Sequence, residues 1–278
     1  MRVLVMGASG QIGQFLLPRL TAAGMEYLAL SRRPVTDGDA RWLLGGLPDG
    51  VPELPALDAL VCLGPLDHLA PWLSATRLEG TPHIIATSSM SAETKRESDV
   101  TEERELSRRL RGAETTIIAT CASRGMPWTL FRPTLIYGAG VDKSLTPIVQ
   151  TALRRRLFPI PAGRGQRQPV HAEDIAAAIM AALTSPFARG RTFPIGGGER
   201  MSASEMFRRV RRSAGGLTFP APIPRFALDL AARVSPAMRG PINRLDNDLI
   251  ADNAELERIL GVHPRPFQPS PETWRPVI

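Results

Sequence analysis

Short apolar runs alternate with longer amphipathic stretches over the first half of this chain. Arg2 to Met6 reads as a strand buried on both faces, and Tyr27–Leu30, Asp58–Leu63, His83–Thr87 and Trp128–Phe131 repeat the pattern. Between the first two runs, Gln14 to Ala23 sets Leu16, Leu17 and Leu20 on one helical face, with Pro18 as a disturbance and Gly24 as the stop. A second helix is predicted from Thr101 towards Ala122. Thr101 would cap it, and Glu102, Glu103 and Glu105 suit the positive end of its dipole. Residues 34–57, rich in Gly and Pro, predict no element. Buried strands alternating with helices give an α/β, doubly wound parallel sheet.

The pattern changes after Gly140. A helix is predicted over Asp174–Leu183 and a strand at Phe193–Ile195, and Ser202-Ala-Ser-Glu205 forms a capping box for a further helix. From Pro220 onward prolines interrupt the chain. The predicted division is residues 1–138 for the sheet domain, with 170–195 returning to it. Residues 139–278 are then a smaller, irregular region, lying as a lid over the carboxyl ends of the strands. Pro224–Val234 is amphipathic and basic; it reads as a lid helix, with contact to a membrane surface or a partner as the alternative.

The 278 residues are 43% hydrophobic, enough for a sizeable core. Lys+Arg 34 against Asp+Glu 27 leaves a net charge of +7, which favours anionic partners, but no basic run is long enough to require nucleic acid. Cys62 and Cys121 lie in apolar runs and read as buried thiols of a reducing compartment. No apolar run of about 18 residues and no secretory leader are visible, so the expected place is the cytoplasm with no transmembrane segment. His68, His83, His171 and His263 show no ligand spacing, and no metal site is expected.

The most specific chemistry follows the first strand. Gly7, Gly10 and Gly13 are spaced G-x-x-G-x-x-G within Gly7-Ala8-Ser9-Gly10-Gln11-Ile12-Gly13. Gly7 allows a tight turn, Gly10 lets a pyrophosphate approach the backbone, and Gly13 lets the new helix pack against the strand. The unpaired N–H groups at the helix start then face the phosphates. Where an acidic residue would take the ribose 2′-hydroxyl of NAD, this chain has Ser31-Arg32-Arg33. Guanidinium groups there clamp a 2′-phosphate, which argues for NADP, with NAD the alternative.

Several stretches together resemble the extended short-chain dehydrogenases/reductases of the nucleotide-sugar epimerase/dehydratase group. Gly7 to Gly13 is similar to the family's cofactor loop, and Thr87-Ser88-Ser89 to the strand end carrying its catalytic serine or threonine, with Ser89 the better match. Phe131-Arg132-Pro133-Thr134 through Tyr137-Gly138 looks like the strand and turn beside the nicotinamide. Arg167-Gln-Pro-Val-His171-Ala-Glu-Asp174 looks like the segment whose arginine holds a nucleotide diphosphate. The resemblance implies a Rossmann fold, a nucleotide-sugar substrate and a possible homodimer through the helix near Glu102–Ala122. It places Leu63, Gly64, Thr87, Ser88, Arg132, Pro133 and Thr134 at the cofactor, and Arg167 and Tyr137 at the substrate.

One departure stands against these matches. The family's acid/base is a tyrosine with a lysine four residues on, yet only Tyr27 and Tyr137 are present and neither has that lysine. Counting back from Ala113-Glu114, the pair's places hold Leu106 and Leu110. An active enzyme then needs a substitute, for which Lys95 and His171 are the candidates beside Ser89. The alternative is a non-catalytic NADP(H)-binding sensor or assembly protein.

Overall fold

A computed structural model describes residues 1–32 and 41–276. β1 (Arg2–Met6) turns through the glycine loop into α1 (Gly13–Ala22), followed by β2 (Glu26–Ser31). The Gly/Pro-rich stretch that predicted nothing supplies β3 (Arg41–Leu44), an edge strand parallel to β2. Its side chains are only partly buried, so its apolar signal is weak. β4 (Ala59–Cys62), α2 (Leu66–Ala75), β5 (His83–Thr87), α3 (Ser91–Thr94), α4 (Thr101–Ser123) and β6 (Trp128–Pro133) follow in order.

The C-terminal half begins with β7 (Ile136–Tyr137), α5 (Thr146–Arg155), β8 (Leu157–Pro161), β9 (Gln166–Arg167) and β10 (Val170–His171). Next come α6 (Ala172–Thr184), β11 (Arg191–Ile195), β12 (Met201–Ser202), α7 (Ala203–Arg212) and β13 (Phe219–Ile223). Three helices close the chain: α8 (Arg225–Val234), α9 (Pro236–Asp246) and α10 (Ala254–Leu260). The main sheet has seven strands in the order β11-β6-β5-β4-β1-β2-β3, and every pairing in it is parallel. The chain leaves for α5 to β10 and then returns, since β11 completes the sheet beside β6 and α6 packs on α1.

Strand alternation divides the core in two. Val3 and Val5 of β1 face Leu16 and Leu20 of α1 and Ile175 and Ile179 of α6. Leu4 and Met6 face the other way, onto Leu69 and Leu73 of α2 and Ile117 of α4. Each such fully buried side chain contributes roughly 1.5–3 kcal/mol relative to exposure. A third cluster, including Tyr137, Val149, Phe158, Met206, Phe267 and Trp274, holds the C-terminal region together.

One local expectation is corrected. Thr101 does not cap α4: it is the first helical residue, Val100 precedes the helix, and no side chain caps it. Glu102 and Glu103 do lie in the first turn, and Glu103 is buried there. At α7, the Ser202 hydroxyl accepts the Glu205 N–H at 3.2 Å, one half of the capping box. Cys62 and Cys121 are buried free thiols, pushed up to about 12 and about 11 by burial.

His83 sits at the start of β5, 5% exposed, with Nε2 2.9 Å from the Thr129 hydroxyl. Burial pushes it down from 6.5 to about 4. The unfolded chain therefore binds a proton between those two values that the fold excludes. His83 is accordingly expected to make stability fall as pH drops from 6.5 towards 4, and to add no slope above that range. Denaturant unfolding across this window checks it: His83→Gln should flatten the dependence by up to about one proton.

Candidate functional site

A parallel sheet ends all its strands on one edge, and here that edge opens into a cleft of about 1140 Å³. Gly7, Ser9, Gly10 and Gln11 line it after β1, Ser31 and Arg32 at the end of β2, and Leu63 and Gly64 after β4. Ser89 enters after β5 and Thr134 after β6, while Lys143, Arg167, Phe207, Arg244 and Asn247 form the facing wall. An adjoining cavity of about 320 Å³ shares Gly10, Gln11, Leu63 and Gly64 and reaches Ile12, Thr87, Ser88, Leu106 and Leu110.

The glycine loop is held by contacts that permit no side chain. A Cβ on Gly13 would lie 1.9 Å from the Ala8 carbonyl oxygen, so buried Ala8 and the helix start touch backbone to backbone. Gly7 has φ +77°, and the Gly10 N–H donates to its carbonyl at 2.9 Å to close the turn. Gln11 Oε1 is buried without a hydrogen-bond partner among the described residues. These features fit a dinucleotide phosphate group: an open backbone cradle with a helix start behind it.

At the β2 end, Arg32 lies across Gly46, where a Cβ would come within 2.5 Å of Arg32 Cγ. Gly45 and Gly46 also line the cleft. Arg33 falls outside the described residues.

Lys95 follows α3 and turns into the cleft, its Nζ 3.1 Å from Glu103 Oε1. Glu103 is 7% exposed; Arg244 Nε stands 3.5 Å from the same oxygen, and the Ser98 hydroxyl donates to Oε2 at 2.8 Å. One carboxylate on α4 thus joins the end of α3 and α9. Ser89 Oγ accepts the Ser91 N–H at 3.1 Å, which leaves its own O–H to donate. Arg167 is buried and spends Nη1 on the Gln166 and Asn247 carbonyls, both at 2.7 Å; burial lowers its pKa.

Other residues singled out in the sequence are tied into the surrounding structure. Arg132 directs its guanidinium away from both cavities, donating Nε to Glu114 Oε1 at 2.9 Å and pairing with Glu93 at 2.8 Å. The Ser88 hydroxyl donates to the same Glu114 oxygen at 2.5 Å. Pro133 is paired with Ile195 in the sheet, and the Thr134 hydroxyl donates to the Gln168 carbonyl. Tyr137 is buried against Phe267, ring centres 4.8 Å apart, and against His171; burial raises its pKa. His171 accepts the Glu173 N–H on Nδ1 at 3.2 Å and so caps α6, and burial lowers its pKa. Tyr137 and His171 are therefore tied to each other and to the C-terminal core, and are not among the residues lining either cavity.

The sequence reading missed Glu103, Gly45, Gly46, Arg244 and Asn247. The paired glycines stood in a stretch without periodicity, and Glu103 looked like an ordinary first-turn acid. Arg244 and Asn247 reach the site across more than seventy intervening residues, which leaves no local signal.

The sheet order, the glycine turn after β1 and the cleft at the strand ends define a Rossmann-like α/β fold. Residues 86–196 match the model of the NAD dependent epimerase/dehydratase family. It is 24% identical over 155 residues to the UDP-glucose 4-epimerase of Vibrio cholerae, covering 55% of this chain and 46% of that protein. It is 25% identical over 226 residues to the NAD(P)H azoreductase of Xenophilus azovorans, covering 77% and 74%. The aligned part is thus less than half of the Vibrio cholerae protein.

Among solved structures, the UDP-glucose 4-epimerase of Thermotoga maritima with UDP-glucose aligns with a TM-score of 0.69 at 16% identity, over 99% of this chain and 96% of that one. The UDP-glucuronic acid 4-epimerase of Bacillus cereus with UDP-glucuronic acid and NAD gives 0.68 at 14%, over 95% and 94%. At such identities the likeness is one of fold.

Glu103→Gln keeps the side chain's shape and removes the charge facing Lys95 and Arg244. The expected cost is about 1–3 kcal/mol, because two cations then share a half-closed site without their counter-charge. A lowered Tm in thermal unfolding is the expected outcome, and an unchanged Tm would show that the carboxylate does not hold α9 in place.

Proposed function

We propose that this chain is an NADP-dependent oxidoreductase or epimerase/dehydratase-like enzyme for a nucleotide-linked sugar, with Ser89 in the role of the family's catalytic serine and Lys95 in place of its tyrosine–lysine pair. One observation carries the reading: the Lys95 ammonium and the Ser89 hydroxyl share a cleft with the glycine loop, while Leu106 and Leu110 line the cavity beside it. When bound, a nicotinamide dinucleotide supplies or accepts the hydride. Gly7 to Gly13 cradle its phosphates, and Arg32, held over Gly46, meets a 2′-phosphate. Arg167, in the facing wall, is placed for the substrate's diphosphate.

In the reducing direction Ser89 donates a hydrogen bond to the substrate's carbonyl oxygen. Lys95 gives that oxygen a proton as carbon gains the hydride, and then recovers one from solvent. The Glu103 carboxylate, 3.1 Å from the Lys95 ammonium, positions it in the cleft. The azoreductase relative supports reduction as the working direction. Residues 139–278 act in this reading as the substrate-binding region, and a pairing of two copies through α4 belongs to it.

The two leucines favour a second reading, a non-catalytic NADP(H)-binding sensor or assembly protein. Turnover separates the two. NADPH is expected to bind in calorimetry and to be oxidised in the presence of nucleotide 4-keto sugars. Lys95→Ala is expected to lower kcat by about 10²-fold or more with NADPH affinity kept. Binding without oxidation of any such sugar would establish the second reading, and no binding at all would remove both.

Cofactor choice has its own test. Gly46→Val must push Arg32 aside, so NADP(H) affinity is expected to fall about ten-fold while NAD(H) affinity changes little. Fluorescence titration of the reduced dinucleotides measures both, and an equal loss for the two would remove Arg32 from the 2′-phosphate.

A further inference from the structure

Large apolar side chains exposed one at a time are ordinary; a group of them together is not. Such a group lies where α5 ends and β8 and β13 begin. Leu157 and Phe219 are partners in the parallel β8–β13 pairing, 53% and 56% exposed. The Phe219 N–H donates to the Arg156 carbonyl at 2.9 Å. Leu153 belongs to the same patch: a Cβ on Gly216 would stand 2.7 Å from Leu153 Cδ2, next to Leu217, which is 67% exposed. Directly after β13 and Pro224, α8 adds Phe226, Leu230 and Val234 at i, i+4 and i+8, one helical face left 60–76% exposed.

Around α5, β8 and β13 the charge in this patch has one sign. Arg154, Arg155 and Arg156 fill the exposed positions between Leu153 and Leu157. They have no carboxylate partner among the described residues; Arg154 only reaches the Thr151 hydroxyl at 3.3 Å. The two segments that build the patch, 143–170 and 206–228, contain no Asp or Glu. A second copy of the chain is a poor occupant, since a symmetric contact here would set six arginines against one another. Nucleic acid would answer the arginines but leave the leucines without a counterpart.

We propose that this face seats on an anionic phospholipid surface. Leu153, Leu157, Leu217 and Phe219 enter the boundary between headgroups and acyl chains, and the three arginines meet the lipid phosphates. The patch uses none of the residues assigned to the cleft, so membrane seating and cofactor binding are separable.

Co-sedimentation of the full chain with phosphatidylglycerol vesicles, against phosphatidylcholine vesicles, tests the proposal. The protein is expected to pellet with the first, to stay in solution with the second, and to be released by high salt. The pair Arg154→Glu and Arg155→Glu is expected to abolish pelleting. The pair Leu157→Ser and Phe219→Ser is expected to weaken it about ten-fold. NADPH binding of each variant reports whether it has folded. No pelleting of the native protein with phosphatidylglycerol overturns the proposal. So does pelleting indifferent to the apolar pair and matched by polyglutamate or single-stranded DNA, which would assign the face to an acidic polymer.

Discussion

The structure depends on how closely α1 approaches β1. Gly13 touches the Ala8 backbone at a distance that excludes any side chain, and this contact sets the angle at which α1 leaves the strand. The helix start and its unsatisfied N–H groups are thereby fixed over the sheet edge where β4, β5 and β6 also end. Leu16 and Leu20 then fall onto Val3 and Val5, and α6 closes against α1 on the same face. Cofactor cradle and hydrophobic core are consequences of the same packing constraint.

A second constraint governs the other wall of the cleft. Glu103 is buried where α3 meets α4 and draws in Lys95 from one side and Arg244 from the other. Removing a carboxylate from water is costly, and the cations offset that cost only while α9 stays in place. The same group therefore positions the proposed proton donor and holds α9 over the site. At the opposite end, Arg32 and Gly46 form a comparable match, a long side chain laid over a residue with no Cβ.

The resemblance would put an acid/base pair at Leu106 and Leu110. Leu106 and Leu110 face the cavity beside the glycine loop and can neither give nor take a proton. Tyr137, one of the chain's two tyrosines, is withdrawn into the C-terminal core with His171. The charged groups lining the cleft are of both signs, among them Lys95, Lys143, Arg167 and Arg244 with Glu103, Asp142 and Asp248.

Runs such as His83–Thr87, and the three glycines after the first strand, follow from periodicity and steric rules acting within a few residues. On that basis the sequence alone determined the parallel α/β sheet and the place of its glycine turn. Partners distant along the chain obey no such local rule. β3 lies on a sheet edge with only half its apolar surface covered, so its pattern was faint. Glu103 has the sequence signature of a first-turn helix acid; only the packing of α3, α4 and α9 made it a buried counter-ion. Which lysine, arginine and serine share one cleft was decided by tertiary structure, because burial and charge pairing depend on what the fold brings within a few ångströms.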